Sequence, residues 1–160
     1  MNISNYKKYI SAETMMGPNC VRILGELFDK YPLRLTSDDL VLDLGCGTGL
    51  TSLVIAKETG AEVYAVDLWI SAEENVKRFA EWGILGRVTP ICEDANKLHF
   101  NERQFNALVS IDSYHYFAGV KSKLVCKFLC QNKRPTGLGS SSSSSIAVMW
   151  ETGGFPSFPQ

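Results

Sequence analysis

Asp39-Leu40-Val41-Leu42-Asp43-Leu44 runs directly into Gly45-Cys46-Gly47-Thr48-Gly49, and Leu50 to Glu58 then carries apolar residues at helical spacing. No other stretch of this 160-residue chain constrains its fold as tightly. An apolar strand that must turn into a helix within five residues needs glycine for backbone shapes closed to other residues, and it leaves N–H groups at the helix start facing outward. A strand followed by a helix calls for a further strand parallel to the first. The chain supplies one: Gly60 closes the helix and Glu62 to Asp67 is rich in β-branched and aromatic residues. Ser71-Ala72-Glu73-Glu74 has the form of a capping box, and the helix it opens runs to Gly83. Val88 to Cys92 and Phe105 to Ile111 read as the third and fourth strands, with a loop from Asp94 to Gln104 between them. Ahead of these, Gly17-Pro18 and the apolar Val21, Ile23, Leu24, Leu27 and Phe28 predict a helix ending near Tyr31-Pro32. Strands alternating with helices predict an α/β chain, a Rossmann-like open parallel sheet with helices on both faces and ligands at the carboxyl ends of the strands.

Composition adds limits. A net charge of −1, with 45% hydrophobic and 21% charged residues, fits one globular domain and gives no global attraction to nucleic acid or to an anionic membrane. No run approaches the ~18 apolar residues of a membrane span, and Lys7-Lys8 is not followed by a signal-peptide core. The expected location is the cytoplasm. The five cysteines are odd in number and scattered, which predicts free thiols. Cys126 and Cys130 have no second pair beside them, so no metal is expected.

A seam lies near residue 118. Residues 119–160 hold five basic residues and one acid, a net of +4, which leaves −5 for residues 1–118. The same end holds six consecutive serines, Ser140 to Ser145, and a Gly/Pro/Phe-rich terminus. Such a segment reads as low complexity, although Ile146 to Trp150 is apolar enough to add a strand. The division expected is an N-terminal helical lid segment over 1–34, a ligand-binding core over 35–118 and an atypical tail over 119–160, with the sheet incomplete after the fourth strand.

The glycine loop alone does not choose its ligand. A dinucleotide fingerprint wants a third glycine where Leu50 stands, and Asp43, two residues before Gly45, would repel a pyrophosphate. S-adenosylmethionine has no phosphate and carries an ammonium and a sulfonium, so an acid there suits it. Asp67, ending the second strand, can accept hydrogen bonds from ribose hydroxyls, and Asp94 lies just past the third. Val41-Leu42-Asp43-Leu44-Gly45-Cys46-Gly47-Thr48-Gly49 closely resembles the first motif of class I S-adenosylmethionine-dependent methyltransferases, and Asp67, Glu93-Asp94-Ala95 and Phe105 to Ser110 resemble its later ones. The resemblance covers about residues 35–118, and Asn106 stands where the family usually has Asp. It implies a cofactor site at Asp43, Gly45, Cys46, Gly47, Gly49, Asp67, Leu68, Asp94, Ala95 and Ser110. In that site the glycines meet the methionine part, Asp67 the ribose, Asp94 with Ala95 the adenine, and Leu68 flanks the ring.

The same resemblance sets a complete domain at seven strands, more than 42 residues of tail can supply at ~30 residues per crossover. A truncated or frameshifted end is therefore expected, and with it an exposed sheet edge that favours homo-oligomers. Ser110 to Phe117 follows the fourth strand, where substrates sit in this fold, and Asp112, Tyr114 and His115 are the candidates to orient a nucleophile or take its proton. In enzymes of the family this chain resembles, the segment holding Tyr6, Tyr9, Met15 and Met16 lids the pocket, and the alternative for these residues is simple packing. The expected activity is in-line methyl transfer to a small molecule, since no basic patch or aromatic ladder points to nucleic acid. The alternatives are a non-catalytic remnant that at most binds the cofactor and, more remotely, an NAD-dependent oxidoreductase.

Overall fold

Five parallel strands form one sheet in the computed structural model, which describes residues 1–30, 35–101, 104–113, 116 and the backbone of 146–150. A short 3-10 helix over Ile3–Tyr9 precedes α1 (Cys20–Lys30), and then follow β1 (Leu40–Leu44), α2 (Leu50–Thr59), β2 (Glu62–Asp67), α3 (Ala72–Glu81), β3 (Val88–Cys92), β4 (Ala107–Ile111) and β5 (Ile146–Trp150). The strand order is β3-β2-β1-β4-β5. Ile146–Trp150 thus joins the sheet beside β4, with Ala107 opposite Ile146 and Ile111 opposite Trp150.

Burial explains why these runs became strands. β1 and β4 sit inside the sheet, and β4 is buried at every position, which is why it reads as a continuous apolar run. Along β1 the two-residue period of a strand sends Val41 into one apolar cluster and Leu42 and Leu44 into another. The first cluster gathers Val21 and Leu24 of α1, Leu50 and Leu53 of α2 and Phe79 of α3, so all three described helices cover one face. Phe79, fully buried, holds α3 there, a burial worth about 1.5–3 kcal/mol.

The opposite face, for which helices were also expected, is covered among the described residues by the β3–β4 connection. Leu98 and Phe105 are buried on it, and Phe105 meets Phe100 and Tyr64 edge-on at 4.9 and 5.7 Å between ring centroids. That connection holds only the 3-10 turn Ala95–Lys97. Asn106 does work open to Asp or Asn alike, since its Oδ1 accepts the Leu40 N–H at 2.9 Å and starts β1 against β4. The capping box at α3 forms as its sequence predicts, with Ser71 and Glu74 bonding each other's backbone N–H. No described helix is long and apolar enough to cross a membrane.

Candidate functional site

The chain leaves β1 toward β2 on one side and returns past it to β4 on the other. Such a reversal opens a crevice at the carboxyl ends of the strands, and a cavity of about 260 Å³ lies there. Its walls come from the glycine loop, the ends of β2, β3 and β4, and the segment just before α1.

The loop is held by its own backbone. Gly45 and Cys46 donate their N–H groups to the Val66 carbonyl at 2.8 and 3.0 Å, and Gly49 closes a turn onto the Cys46 carbonyl at 2.9 Å. Gly49 has φ +85°, a left-handed backbone, and a Cβ there would stand 2.3 Å from the Phe79 ring. Two independent causes therefore require glycine. Gly47, at φ +55°, faces the cavity, and a Cβ there would stand 3.0 Å from Met16 Sδ. The Gly47 carbonyl accepts from the buried Asn75 Nδ2 at 3.0 Å, and Asn75 is fixed in turn by Arg78. Thr48 Oγ1 donates to the Thr14 carbonyl at 2.5 Å, which ties the loop to the N-terminal segment.

Asp67 links the loop to the turn after β2. Its Oδ2 accepts the Gly47 N–H at 2.8 Å, while Oδ1 accepts those of Trp69 and Ile70 at 2.8 and 3.1 Å. A carboxylate has about four acceptor positions, so about one remains for a ligand. A second ligand hydroxyl at Asp67 has to share with a backbone donor.

Seven of the ten expected cofactor residues line the cavity: Gly45, Cys46, Gly47, Asp67, Leu68, Asp94 and Ala95. Asp43, Gly49 and Ser110 stand behind its wall. Asp43 follows the strand period onto the helix-covered face with Val41, where it is 1% exposed and accepts from Thr51 Oγ1 and Ser52 Oγ at 2.5 and 2.6 Å. Burial pushes its pKa up to about 6, against the pull of Ser52 and Thr51, whose hydroxyls favour the charged form. Gly49 is sealed by Phe79. Ser110 is fully buried 2.8 Å from Ser113 Oγ, which donates to the Leu44 carbonyl at 2.9 Å. A hydroxyl has one proton, so Ser110 donates to Ser113 and the relay fastens the end of β4 to β1. Cys46 is buried, and burial raises its thiol pKa well above the ordinary range, which leaves it a filler of the wall. Asp94 is held below the usual carboxylate range, chiefly by the Asn96 backbone N–H.

Of the catalytic candidates, Asp112 lines the cavity with φ +55°, an uncommon backbone for a residue with a side chain. Its Oδ2 packs beside Gly17, where a Cβ would come within 3.3 Å. Tyr114 and His115 lie outside the described residues. Of the lid candidates, Met16 lines the cavity, Tyr6 is buried in the core, and Tyr9 and Met15 pack against that core. Residues that the sequence did not single out also line the wall: Thr14, Gly17, Trp69 and Ser113. Trp69 had one signal available, a large aromatic two residues past the acid that ends β2, and Ser113 had its place in the Ser110 to Phe117 stretch; Asn75 had none. The described lining carries four acids, Asp67, Glu93, Asp94 and Asp112, and no Lys, Arg or His.

A profile described as a methyltransferase domain matches residues 41–137, past the compositional seam at 118. No curated protein matches the chain. Among solved structures, the chain is similar to geranyl diphosphate C-methyltransferase from Streptomyces coelicolor, bound to Mg2+, geranyl diphosphate and S-adenosyl-L-homocysteine, with a TM-score of 0.53 and 22% identity over 59% of this chain and 36% of that one. It is similar to the YcgJ protein from Bacillus subtilis, with a TM-score of 0.53 and 23% identity over 61% and 40% of the two chains. An RNA methyltransferase from Salinibacter ruber bound to S-adenosyl-L-homocysteine gives a TM-score of 0.50 and 15% identity over 61% and 60%. The chain thus spans 36–60% of the length of these neighbours, and at such identities they speak for the fold alone.

Proposed function

The chain belongs to the methyltransferase domain family, matched over more than half its length, and from that premise we propose that it uses S-adenosylmethionine to methylate a small molecule. The observation that carries this reading is the join between Gly47 and Asp67. One hydrogen bond of 2.8 Å sets a side-chain-free surface of the loop next to a carboxylate at the end of β2. The residues fit the group. Gly47 has φ +55° and a Cβ there would stand 3.0 Å from Met16 Sδ, so glycine keeps this wall open, and the acids of the lining suit a ligand with an ammonium and a sulfonium. When bound, S-adenosylmethionine supplies a methyl group on a sulfonium, open to in-line displacement, a reaction in which alignment and dryness do most of the catalysis.

In this reading Gly45 and Gly47 receive the methionine part, Asp67 takes a ribose hydroxyl, and Leu68, Asp94 and Ala95 border the adenine. Residues 35–118 are the cofactor-binding core, with Thr14 and Met16 of the preceding segment completing the enclosure. Asp112, beside the crevice at the end of β4, orients the acceptor or takes its proton. Calorimetry with S-adenosylhomocysteine tests the first half, and methyl transfer from labelled S-adenosylmethionine into small-molecule fractions tests the second. One-to-one binding followed by labelled product is expected. Absence of binding overturns the reading, while binding without transfer leaves a cofactor-binding module.

A further inference from the structure

Thr48 lines the cavity, yet its hydroxyl proton is committed to the protein: Oγ1 donates to the Thr14 carbonyl at 2.5 Å, across 34 positions of chain. The two ends of that bond differ in how firmly they are held. On the loop side, Thr48 stands between Gly47, whose N–H goes to Asp67 and whose carbonyl takes Asn75, and Gly49, against which Phe79 packs. Thr48 is 5% exposed, and its side of the bond is fixed by the core.

On the other side, Ser11 to Thr14 form a turn closed on itself. The Met15 N–H donates to the Ser11 carbonyl at 3.0 Å, the Ser11 N–H to Thr14 Oγ1 at 2.9 Å, and Thr14 Oγ1 to the Tyr9 carbonyl at 2.7 Å. Ser11, Glu13, Met16 and Gly17 are exposed. Met15 packs against the core, but an apolar contact has no direction of its own, so the bond from Thr48 is the directional tie. Beyond the turn, Met16, Gly17 and Pro18 line the cavity as the chain runs to α1, where Asn19 accepts the Arg22 N–H at 3.0 Å. Residues 11–18 are thus a strap that crosses from the glycine loop toward Asp112, whose Oδ2 a Cβ at Gly17 would meet at 3.3 Å.

Volume says that the strap has to move. With the strap in place the cavity holds about 260 Å³, less than the ~300–1,000 Å³ of sites that enclose a drug-sized ligand. S-adenosylmethionine and an acceptor together need more. The other described walls are strand ends and a loop backed by the core, so the strap is the wall that yields.

We infer that Thr48 is a positioning residue: its hydroxyl latches the strap to the glycine loop, and release of this bond is the step that admits and discharges the cofactor. The inference rests on the S-adenosylmethionine reading and adds to it the residue that controls exchange. A latch made of protein atoms alone closes equally over an empty and a filled site, so loosening it speeds entry and exit together and leaves affinity nearly unchanged. A residue that touches the ligand instead raises the exit rate and Kd together.

Stopped-flow fluorescence of the full chain, with Trp69 in the cavity wall as reporter, gives both rates for S-adenosylhomocysteine, and calorimetry gives Kd. Thr48→Val keeps the shape and removes the hydroxyl, a net hydrogen bond worth a factor of about 2–10. Association and dissociation are each expected to rise about fivefold, with Kd within about twofold of wild type. Thr48→Ser, which keeps the hydroxyl, is expected to restore wild-type rates. Ser11→Ala removes the Ser11 Oγ bonds to Thr14 Oγ1 and the Glu13 N–H from an exposed position. It is expected to raise both rates about twofold, which preserves the test where Thr48→Val does not fold. Unchanged rates in Thr48→Val, or in Ser11→Ala where Thr48→Val does not fold, overturn the inference. So does a Thr48→Ser that exchanges as fast as Thr48→Val, or dissociation and Kd that rise together at constant association. Failure of S-adenosylhomocysteine to bind the wild-type chain instead overturns the functional reading on which the inference stands.

Discussion

Asp43→Asn should change how the stability of this chain depends on pH. The carboxyl is 1% exposed, and burial lifts its pKa to about 6 even though Thr51 and Ser52 donate to it. In the unfolded chain an aspartate titrates near ~3.9. Below pH ~3 both states hold the proton and Asp43 contributes its full share of stability. Between about 4 and about 6 the folded state holds more protons than the unfolded one, so stability falls as pH rises, and above the folded pKa the loss is complete. Two units of difference at ~1.4 kcal/mol each make the whole step about 3 kcal/mol. Urea unfolding of wild type and Asp43→Asn at unit steps from pH 4 to pH 8 isolates it, because all other titrating groups are common to both. The unfolding free energy of wild type minus that of the variant should drop by about 2 kcal/mol from pH 4 to pH 7, the rest of the step lying below pH 4. A difference that stays flat would show that the hydroxyl donors cancel desolvation. One that rises would mean they win outright, and either outcome refutes the argument.

Asp67→Ala removes the acceptor of three backbone N–H groups and should weaken S-adenosylhomocysteine by about 1.5–3 kcal/mol, roughly 10- to 150-fold, in calorimetry. Unchanged affinity would remove Asp67 from the site. Gly49→Ala meets both a left-handed backbone and the Phe79 ring, so unfolding in urea should show a loss of about 2–4 kcal/mol; a loss below 1 kcal/mol would mean that the loop relaxes freely. NAD should not displace S-adenosylhomocysteine, since the described lining offers a pyrophosphate four acids and no basic side chain, and competition at micromolar NAD would overturn that.

The elements that position the site were legible because local rules specify them. β1, the glycine loop and α2 follow one another with no room for another arrangement, and the Ser71 capping box announces α3. The ligand-side placement of Asp43 was the error of a one-dimensional reading. The two-residue period already assigns Asp43 to the face of Val41, but its partners are the hydroxyls of Thr51 and Ser52, eight and nine positions on, which only the return of α2 across the sheet brings close. Gly49 looked like ligand surface for the same reason, since nothing in the sequence says that Phe79, thirty positions later, will seal it. The connection after β3 read as a loop and is one, yet among the described residues Leu98, Phe100 and Phe105 make it the cover of the sheet face opposite the helices. The Thr48–Thr14 tie joins residues with no pattern between them and exists only in three dimensions.

The wall of the cavity is closed by chain segments that are strangers in sequence: Gly17 and Asp112, pressed together across the mouth, are 95 positions apart. Bringing such distant points together costs a flexible chain on the order of 4 kcal/mol in entropy before any contact repays it. A ribosome releasing this chain from its N-terminus would therefore expose Thr14, Met16, the glycine loop and Asp67 long before the residues that face them. Until β4 inserts beside β1, with Ser113 fastened to the Leu44 carbonyl, those residues form a shelf with no opposite side. Ligand affinity should therefore arrive late in synthesis and in a single step, so that bound ligand reports the insertion of the fourth strand rather than the formation of the glycine loop.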